Sequence, residues 1–208
     1  MKKTLDRCTQ ELENALYSFP WNDRQAYGDW LVQTYFYVRH STRLLAAASA
    51  RFGHDEVSDA LHYRFATHIG EEKRHERLAL TDLQRLGLRV ENYEERHTTR
   101  LLYETQYYKI EHEAPAVLFG YILPLEAGGP RCGKRICEQV TAAFGPKCDT
   151  FLRVHADEDE EHLEKALKQL EAIRPEEQAL IARNIEQTTY AYCAILRDIT
   201  ERPRTAAR

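Results

Sequence analysis

The stretch that decides the fold reads His155-Ala156-Asp157-Glu158-Asp159-Glu160-Glu161-His162. His155, Asp159 and His162 are separated by four and three positions, so they lie on one face of a helix. Apolar residues continue this stripe in both directions, which gives it apolar ends and a polar centre. The other acids of the stretch lie off the stripe and are interpreted as a solvated face. The pattern predicts a long helix over roughly residues 146–171 whose buried face carries three metal-binding side chains.

A second helix, predicted over roughly residues 56–86, has the same organisation. Its stripe has apolar ends and a centre made of His68, Glu72 and His75. Glu72 and His75 are three positions apart, the spacing by which one helix offers a carboxylate and an imidazole to the same metal. His68 lies one turn earlier and is interpreted as a partner of a metal ligand or as a substrate contact. Glu71 replaces Glu72 as the candidate ligand if the helix is rotated slightly.

A third candidate ligand is Glu126, the only charged residue in the segment Phe119-Gly120-Tyr121-Ile122-Leu123-Pro124-Leu125-Glu126-Ala127. Burying a lone carboxylate in such an apolar helix costs free energy unless it is paired or binds a metal. Pro124 is expected to kink the helix just before Glu126, because proline removes a backbone hydrogen bond.

A metal centre is predicted because three helices each place ionisable groups in an apolar stripe. Any one of these residues taken alone is more often an ordinary buried or surface side chain. Together they supply three histidines and three carboxylates, a set that suits iron or manganese. The set includes no thiolate, which argues against structural zinc. The predicted ligands are Glu72, His75, Glu126, His155, Asp159 and His162.

The remaining pattern predicts an all-α protein that forms a single domain over residues 1–208. Further helices are expected at roughly 5–17, 22–51, 98–113, 115–127, 134–144 and 175–200, with boundaries uncertain by roughly two to four residues. Asn22 or Asp23 is a good helix cap, and Gly128-Gly129-Pro130 is expected to break the helix that carries Glu126. A short disordered tail is expected from about residue 202.

Composition excludes several classes of protein. The net charge of −4 offers no basic patch of the kind that nucleic acid requires. The longest apolar run is too short to span a membrane, and the first residues lack the apolar core of a signal peptide. The five cysteines form no CxxC pair, which is typical of reduced thiols in a cytoplasmic protein.

The order and spacing of these elements resemble the haem-oxygenase-like di-iron oxidases and oxygenases. The resemblance rests on His68-Ile69-Gly70-Glu71-Glu72-Lys73-Arg74-His75, on Glu126, and on the HxxxDxxH element from His155 to His162. It covers roughly residues 30–167, and segment 37–45 is similar to members described as iron-containing redox enzymes. One departure is that several members carry the first carboxylate two turns before its histidine, where this chain has His68.

The resemblance implies a bundle of about seven helices, two Fe²⁺ ions held by the six predicted ligands, and O2 as co-substrate. It implies an oxidoreductase that acts on a small metabolite, by N-oxygenation of an amine or amino acid, desaturation or oxidative C–C cleavage, as in biosynthesis. The expected partner is therefore a small-molecule substrate, with no nucleic acid and no membrane. A homodimer and a redox partner that supplies electrons are also compatible with this chemistry.

Three alternatives stay open at this point. A haem-binding haem oxygenase requires a histidine early in the chain, and the first predicted helix has none, which leaves His40 as the substitute. A thiaminase-like relative requires a nucleophilic cysteine near a glutamate, and Cys132 follows Glu126 in sequence. A non-catalytic metal-binding helical protein shares the Glu-x-x-His spacing but would not consume O2.

Overall fold

The computed structural model describes residues 1–170 and 172–201, apart from the side chains of residues 157–165. Within these ranges all regular structure is helical, so the all-α prediction is confirmed. Two short 3₁₀ turns lie at Val90–Asn92 and Pro115–Leu118. The α-helices are α1 Lys2–Ser18, α2 Arg24–Val38, α3 Ser41–Ser49, α4 Glu56–Glu71, α5 Glu76–Arg85, α6 His97–His112, α7 Phe119–Phe144, α8 Thr150–Leu170 and α9 Pro175–Glu201.

Two of the predicted helices are interrupted. The helix expected over 22–51 is divided into α2 and α3 at Arg39 and His40, and the helix expected over 56–86 is divided into α4 and α5. If each divided pair is counted as one helix, the described part of the chain contains seven, in agreement with the expected number. Asp23 caps α2 as predicted, because its carboxylate accepts hydrogen bonds from the backbone N–H groups of Gln25 and Ala26.

The break between α4 and α5 corrects the prediction of one continuous helix. Residues 72–75 form a turn in which Arg74 has a φ of 74°. This left-handed conformation costs a non-glycine residue about 1–2 kcal/mol, so the chain cannot continue as a regular α-helix there. Glu72 therefore follows the end of α4 and His75 precedes the start of α5.

The predicted break at Gly128-Gly129-Pro130 is wrong, because α7 runs through it to Phe144. Helix α7 packs against α1, α8 and α9. This burial outweighs the cost of about 1 kcal/mol for each glycine and about 3 kcal/mol for the proline in a helix interior. A Cβ atom at Gly128 would lie 3.5 Å from the side chain of Leu16, an ordinary van der Waals distance, so packing against α1 does not require glycine there. The separate helix expected over 134–144 is the second half of α7.

Close contacts set the position of the two helices that flank α7. A Cβ atom on Gly133 would lie 2.5 Å from Cβ of Ala156 in α8, and one on Gly120 would lie 2.6 Å from the backbone oxygen of Ile181 in α9. Only glycine allows this approach. The neighbouring His155 is consequently held against α7, the helix that carries Glu126.

The expected tail from about residue 202 lies outside the described residues. Among the helices described, none is both long and apolar enough to cross a lipid bilayer.

Candidate metal centre

The turn between α4 and α5 supplies the first two side chains of the site. Oε2 of Glu72 lies 3.8 Å from Nδ1 of His75. The two residues keep the spacing of three that the sequence suggested, but a turn presents them instead of a helix face. Both side chains are largely shielded, with 13% of each exposed.

Helix α8 brings His155 to the same point. One donor atom from each of Glu72, His75 and His155 lies within 4.8 Å of the others, and the rings of the two histidines meet edge to face with centroids 5.0 Å apart. Nδ1 of His155 lies 2.8 Å from the carbonyl oxygen of Phe151. When Nδ1 donates its proton to that carbonyl, Nε2 is the nitrogen with the lone pair, an arrangement usual for metal-binding histidines.

His68 connects this group to Glu126. Nε2 of His68 lies 3.5 Å from Oε1 of Glu72 and 3.2 Å from Oε1 of Glu126. Burial disfavours a charge on His68, but the hydrogen bonds and charges of the two carboxylates outweigh it and raise the pKa of His68 to about 9. Burial likewise opposes the charge of Glu72, yet His68, His155 and His75 lower the pKa of Glu72 to about 2.

A buried aspartate joins the helices that carry the two histidines of the centre. Oδ2 of Asp82, in α5, accepts a hydrogen bond of 2.8 Å from the backbone N–H of Phe151 in the first turn of α8. Arg85 reinforces this junction through Oγ1 of Thr150 at 2.6 Å. Phe151 lies one turn before His155, so Asp82 helps to set the distance between His75 and His155. Sequence reasoning missed Asp82, although its place beside Ala79 and Leu83 on the buried stripe of α5 was a signal.

A cavity of about 130 Å³ lies beside the cluster. Its lining includes His68, Glu72, Glu126 and His155, and most of the remaining wall is apolar. Tyr121 of α7 also lines this cavity. The site thus combines ionisable groups with a largely apolar pocket, which is the usual character of a small-molecule site.

Most of the predicted ligands that the structure describes converge here. Glu72, His75 and His155 form one group, and Glu126 adjoins it through His68. Asp159 and His162 lie on α8, but their side chains are outside the described residues. The alternative ligand Glu71 is ion-paired with Arg64 at 3.0 Å, so the structure favours Glu72.

The donor set fits iron. One carboxylate and two imidazoles in a single group, with a further carboxylate nearby, are ligands that non-haem iron accepts. The carboxylates and His68 share a site that is largely shielded from solvent, where their charges require compensation. A metal cation bound between the carboxylates would compensate their negative charge, as protonated His68 does in this structure.

A helical bundle whose interior holds such a group of carboxylates and imidazoles is the arrangement typical of helical metal-binding proteins. The sequence profile described as iron-containing redox enzyme, a haem-oxygenase-like family, matches residues 28–192. The chain belongs to this family of iron-containing redox enzymes. None of the curated proteins matches the sequence significantly.

Solved structures share the haem-oxygenase-like fold that the sequence predicted. A domain of unknown function with a haem-oxygenase-like fold from Shewanella denitrificans OS217 superposes with a TM-score of 0.84 at 18% identity, covering 100% of this chain and 97% of that one. A TenA homologue from Pseudomonas syringae pv. tomato DC3000 gives 0.80 at 12% identity, with coverage of 96% and 92%. A CADD-like protein of unknown function from Nostoc punctiforme PCC 73102 gives 0.64 at 16% identity, with coverage of 97% and 99%. At these identities the likeness concerns the fold alone.

Proposed function

We propose that this protein is an O2-dependent non-haem di-iron oxidase or oxygenase that acts on a small molecule. The observation that carries the proposal is the approach of the donor atoms of Glu72, His75 and His155 to within 4.8 Å of one another. Two of these residues, Glu72 and His155, also line the apolar cavity. A substrate in the cavity would therefore lie next to the metal.

Two groups of side chains would hold the irons. Glu72, His75 and His155 form the first group. Glu126 would belong to the second, together with Asp159 and His162, which enter from their sequence positions alone. Iron bound there would supply the electrons and the affinity for O2 that amino-acid side chains lack.

The protein's own contribution is orientation and exclusion of water. The hydrogen bond between Nδ1 of His155 and the carbonyl of Phe151 directs the opposite ring nitrogen to coordination. The apolar wall of the cavity keeps bulk water from the reacting molecules, which suppresses side reactions. His68 lies between Glu72 and Glu126 and can keep a proton close to both carboxylates.

The test is anaerobic loading with Fe(II), followed by elemental analysis and measurement of O2 uptake. We expect close to two irons per chain, with Mn(II) as a competitor, and O2 consumption that depends on the bound iron. His155→Gln should lose iron, whereas His112→Gln, an exposed histidine of α6, should retain it. At most one iron per parent chain contradicts the di-iron proposal, and iron binding without O2 uptake supports a non-catalytic metal protein instead.

The other candidates find less support. Helix α1 contains no histidine that could ligate haem, and adding haem and recording a Soret band tests that alternative directly. Cys132, the candidate thiaminase-like nucleophile, is buried and is not among the described residues that line the cavity. Burial raises the pKa of its thiol, whereas a nucleophilic cysteine requires a lowered pKa.

A further inference from the structure

The wall of the central cavity is chemically divided. One side carries His68, Glu72, Glu126 and His155. Much of the rest consists of aliphatic side chains from α1, α3 and α7, among them Leu12, Leu16, Leu44, Leu45, Ile122 and Leu125. Among the described lining residues none is lysine or arginine. Away from the metal-binding side, the described wall therefore offers no positively charged partner for an anionic group.

One polar atom of this wall is buried without a partner. The hydroxyl of Tyr121 has no hydrogen-bond partner among the described residues, and the residue as a whole is only 4% exposed. The neighbouring Tyr192, which also lines the cavity, differs because its hydroxyl oxygen accepts a hydrogen bond of 3.1 Å from the indole N–H of Trp30. An unsatisfied buried hydroxyl costs about 1–3 kcal/mol, so the Tyr121 hydroxyl is a natural place for a ligand to bind.

The Tyr121 hydroxyl is available to donate a hydrogen bond, because no described group accepts one from it. Burial raises its pKa, and the negative charge of Glu72 raises it further. A neutral phenol carries an O–H group that can donate one hydrogen bond. A group that pairs with it by accepting its proton in a hydrogen bond is a carbonyl, ether or hydroxyl oxygen, or a neutral nitrogen.

The cavity volume limits the size of the ligand. At about 130 Å³, it is comparable with engineered protein cavities of about 150 Å³ that bind benzene. We propose that this cavity binds a compact, uncharged, largely apolar molecule with one hydrogen-bond acceptor, and that the Tyr121 hydroxyl donates to that acceptor. The identification of this molecule as the substrate rests on the proposed function. The binding of the molecule in the cavity does not depend on it.

The division of the wall gives the ligand an orientation. Its acceptor would face Tyr121, and its apolar body would contact the leucines of the opposite wall. A permanent charge on the apolar body would be buried without a partner, which costs several kcal/mol. Tyr121 is therefore assigned as the residue that positions the substrate and selects for a neutral acceptor.

Isosteric probes test the inference. Cyclohexanone and methylenecyclohexane have nearly the same shape, but only the ketone accepts a hydrogen bond. Isothermal titration calorimetry would measure both dissociation constants on the Fe(II)-loaded protein without air and on the metal-free protein. Tyr121→Phe should weaken cyclohexanone binding about fivefold more than methylenecyclohexane binding, the effect of one net hydrogen bond. Tyr192→Phe is the matched control, and it should change the ratio of the two constants little.

Three results would overturn the proposal. If Tyr121→Phe leaves the ratio of the two dissociation constants unchanged, the assigned hydrogen bond is not formed. If neither neutral probe binds, the cavity is not a site for this class of molecule. Tighter binding of cyclohexanecarboxylate or cyclohexylammonium than of the ketone would show that the ligand is charged. These binding measurements include the metal-free protein, so the probes can bind even if iron loading or O2 uptake fails. Conversely, iron loading and O2 uptake can succeed even if the probes do not bind.

Discussion

Nε2 of His68 lies 3.2 Å from Oε1 of Glu126, and this contact joins α4 to α7 across the centre of the bundle. The same nitrogen lies 3.5 Å from Oε1 of Glu72. The carboxylate of Glu72, in the turn after α4, and that of Glu126, in α7, thus both contact one imidazole. This relationship links the Glu72, His75 and His155 group to the helix of Glu126, and it makes the role of Glu126 directly testable.

Replacing Glu126 should lower the iron stoichiometry. Glu126→Ala removes the carboxylate that we assign to the second iron and leaves a good helix former in α7. We expect the variant to fold and to bind substantially less iron than the parent in elemental analysis after anaerobic loading. Glu138→Ala, at an exposed position of the same helix, should bind iron as the parent does. Parental iron content in Glu126→Ala would show that this carboxylate is not a ligand.

Adding one methyl group to Gly133 should disturb the site from a distance. The new Cβ would lie 2.5 Å from Cβ of Ala156, so α8 must move away from α7 and carry His155 with it. We expect a loss of about 1–3 kcal/mol in the free energy of unfolding, together with weaker iron binding. Denaturant unfolding and iron titration measure the two effects.

Gly70→Ala provides the control for that substitution. Gly70 lies within α4, and no atom lies within 4 Å of a Cβ placed there. This variant should be more stable than the parent by about 0.5–1 kcal/mol, because alanine loses less backbone entropy in a helix than glycine. If both glycine variants have the same stability, close packing of α7 against α8 is not what requires Gly133.

Asp82→Ala should weaken the junction between α5 and α8. The substitution leaves the N–H of Phe151 without the carboxylate that now accepts its hydrogen bond, at a cost of about 1–3 kcal/mol. His155 lies one turn further along, so iron affinity should fall together with stability. Asp59→Ala, at an exposed position of α4, should have neither effect. Unchanged iron affinity in Asp82→Ala would confine the role of Asp82 to stability.

His40 should make the free energy of unfolding depend on pH. Its ring stacks on Tyr103 with centroids 3.9 Å apart, and its Nδ1 lies 2.9 Å from the hydroxyl of Tyr107. Burial, together with the charges of Arg39 and Arg43 and against the opposing charge of Glu104, lowers the pKa of His40 to about 4. These charges and the two tyrosines are the ionisable surroundings of the ring.

The sign of the effect follows from proton binding. Because the folded-state pKa lies below the ordinary value of 6.5, the folded protein binds fewer protons than the unfolded chain between these two values. The contribution of His40 is therefore fully present above about pH 6.5 and is lost as the pH falls towards 4. Urea unfolding at several pH values should show a smaller decrease for His40→Gln than for the parent over this range. Parallel curves would contradict the assignment.

The sequence determined the helical class, most of the helical segments and the candidate ligands, because helical periodicity records which residues share a buried face. Glu126 could be selected because it is the only charge in an apolar stretch, and the structure places it in the core. The spacing of Glu72 and His75 was visible in the same way, although the helix expected to carry both residues ends at Glu71.

Only the tertiary structure decided the turn at Arg74, the passage of α7 through Gly128-Gly129-Pro130, and the parts played by Asp82 and Tyr121. Local propensity predicts a break at a glycine-rich segment, but packing of α7 against three other helices outweighs it. The junction at Asp82 and the unpartnered hydroxyl of Tyr121 depend on which groups from distant segments lie within hydrogen-bond distance. That proximity is a property of the assembled bundle, because helical periodicity specifies the buried face of a segment but not the neighbour that covers it.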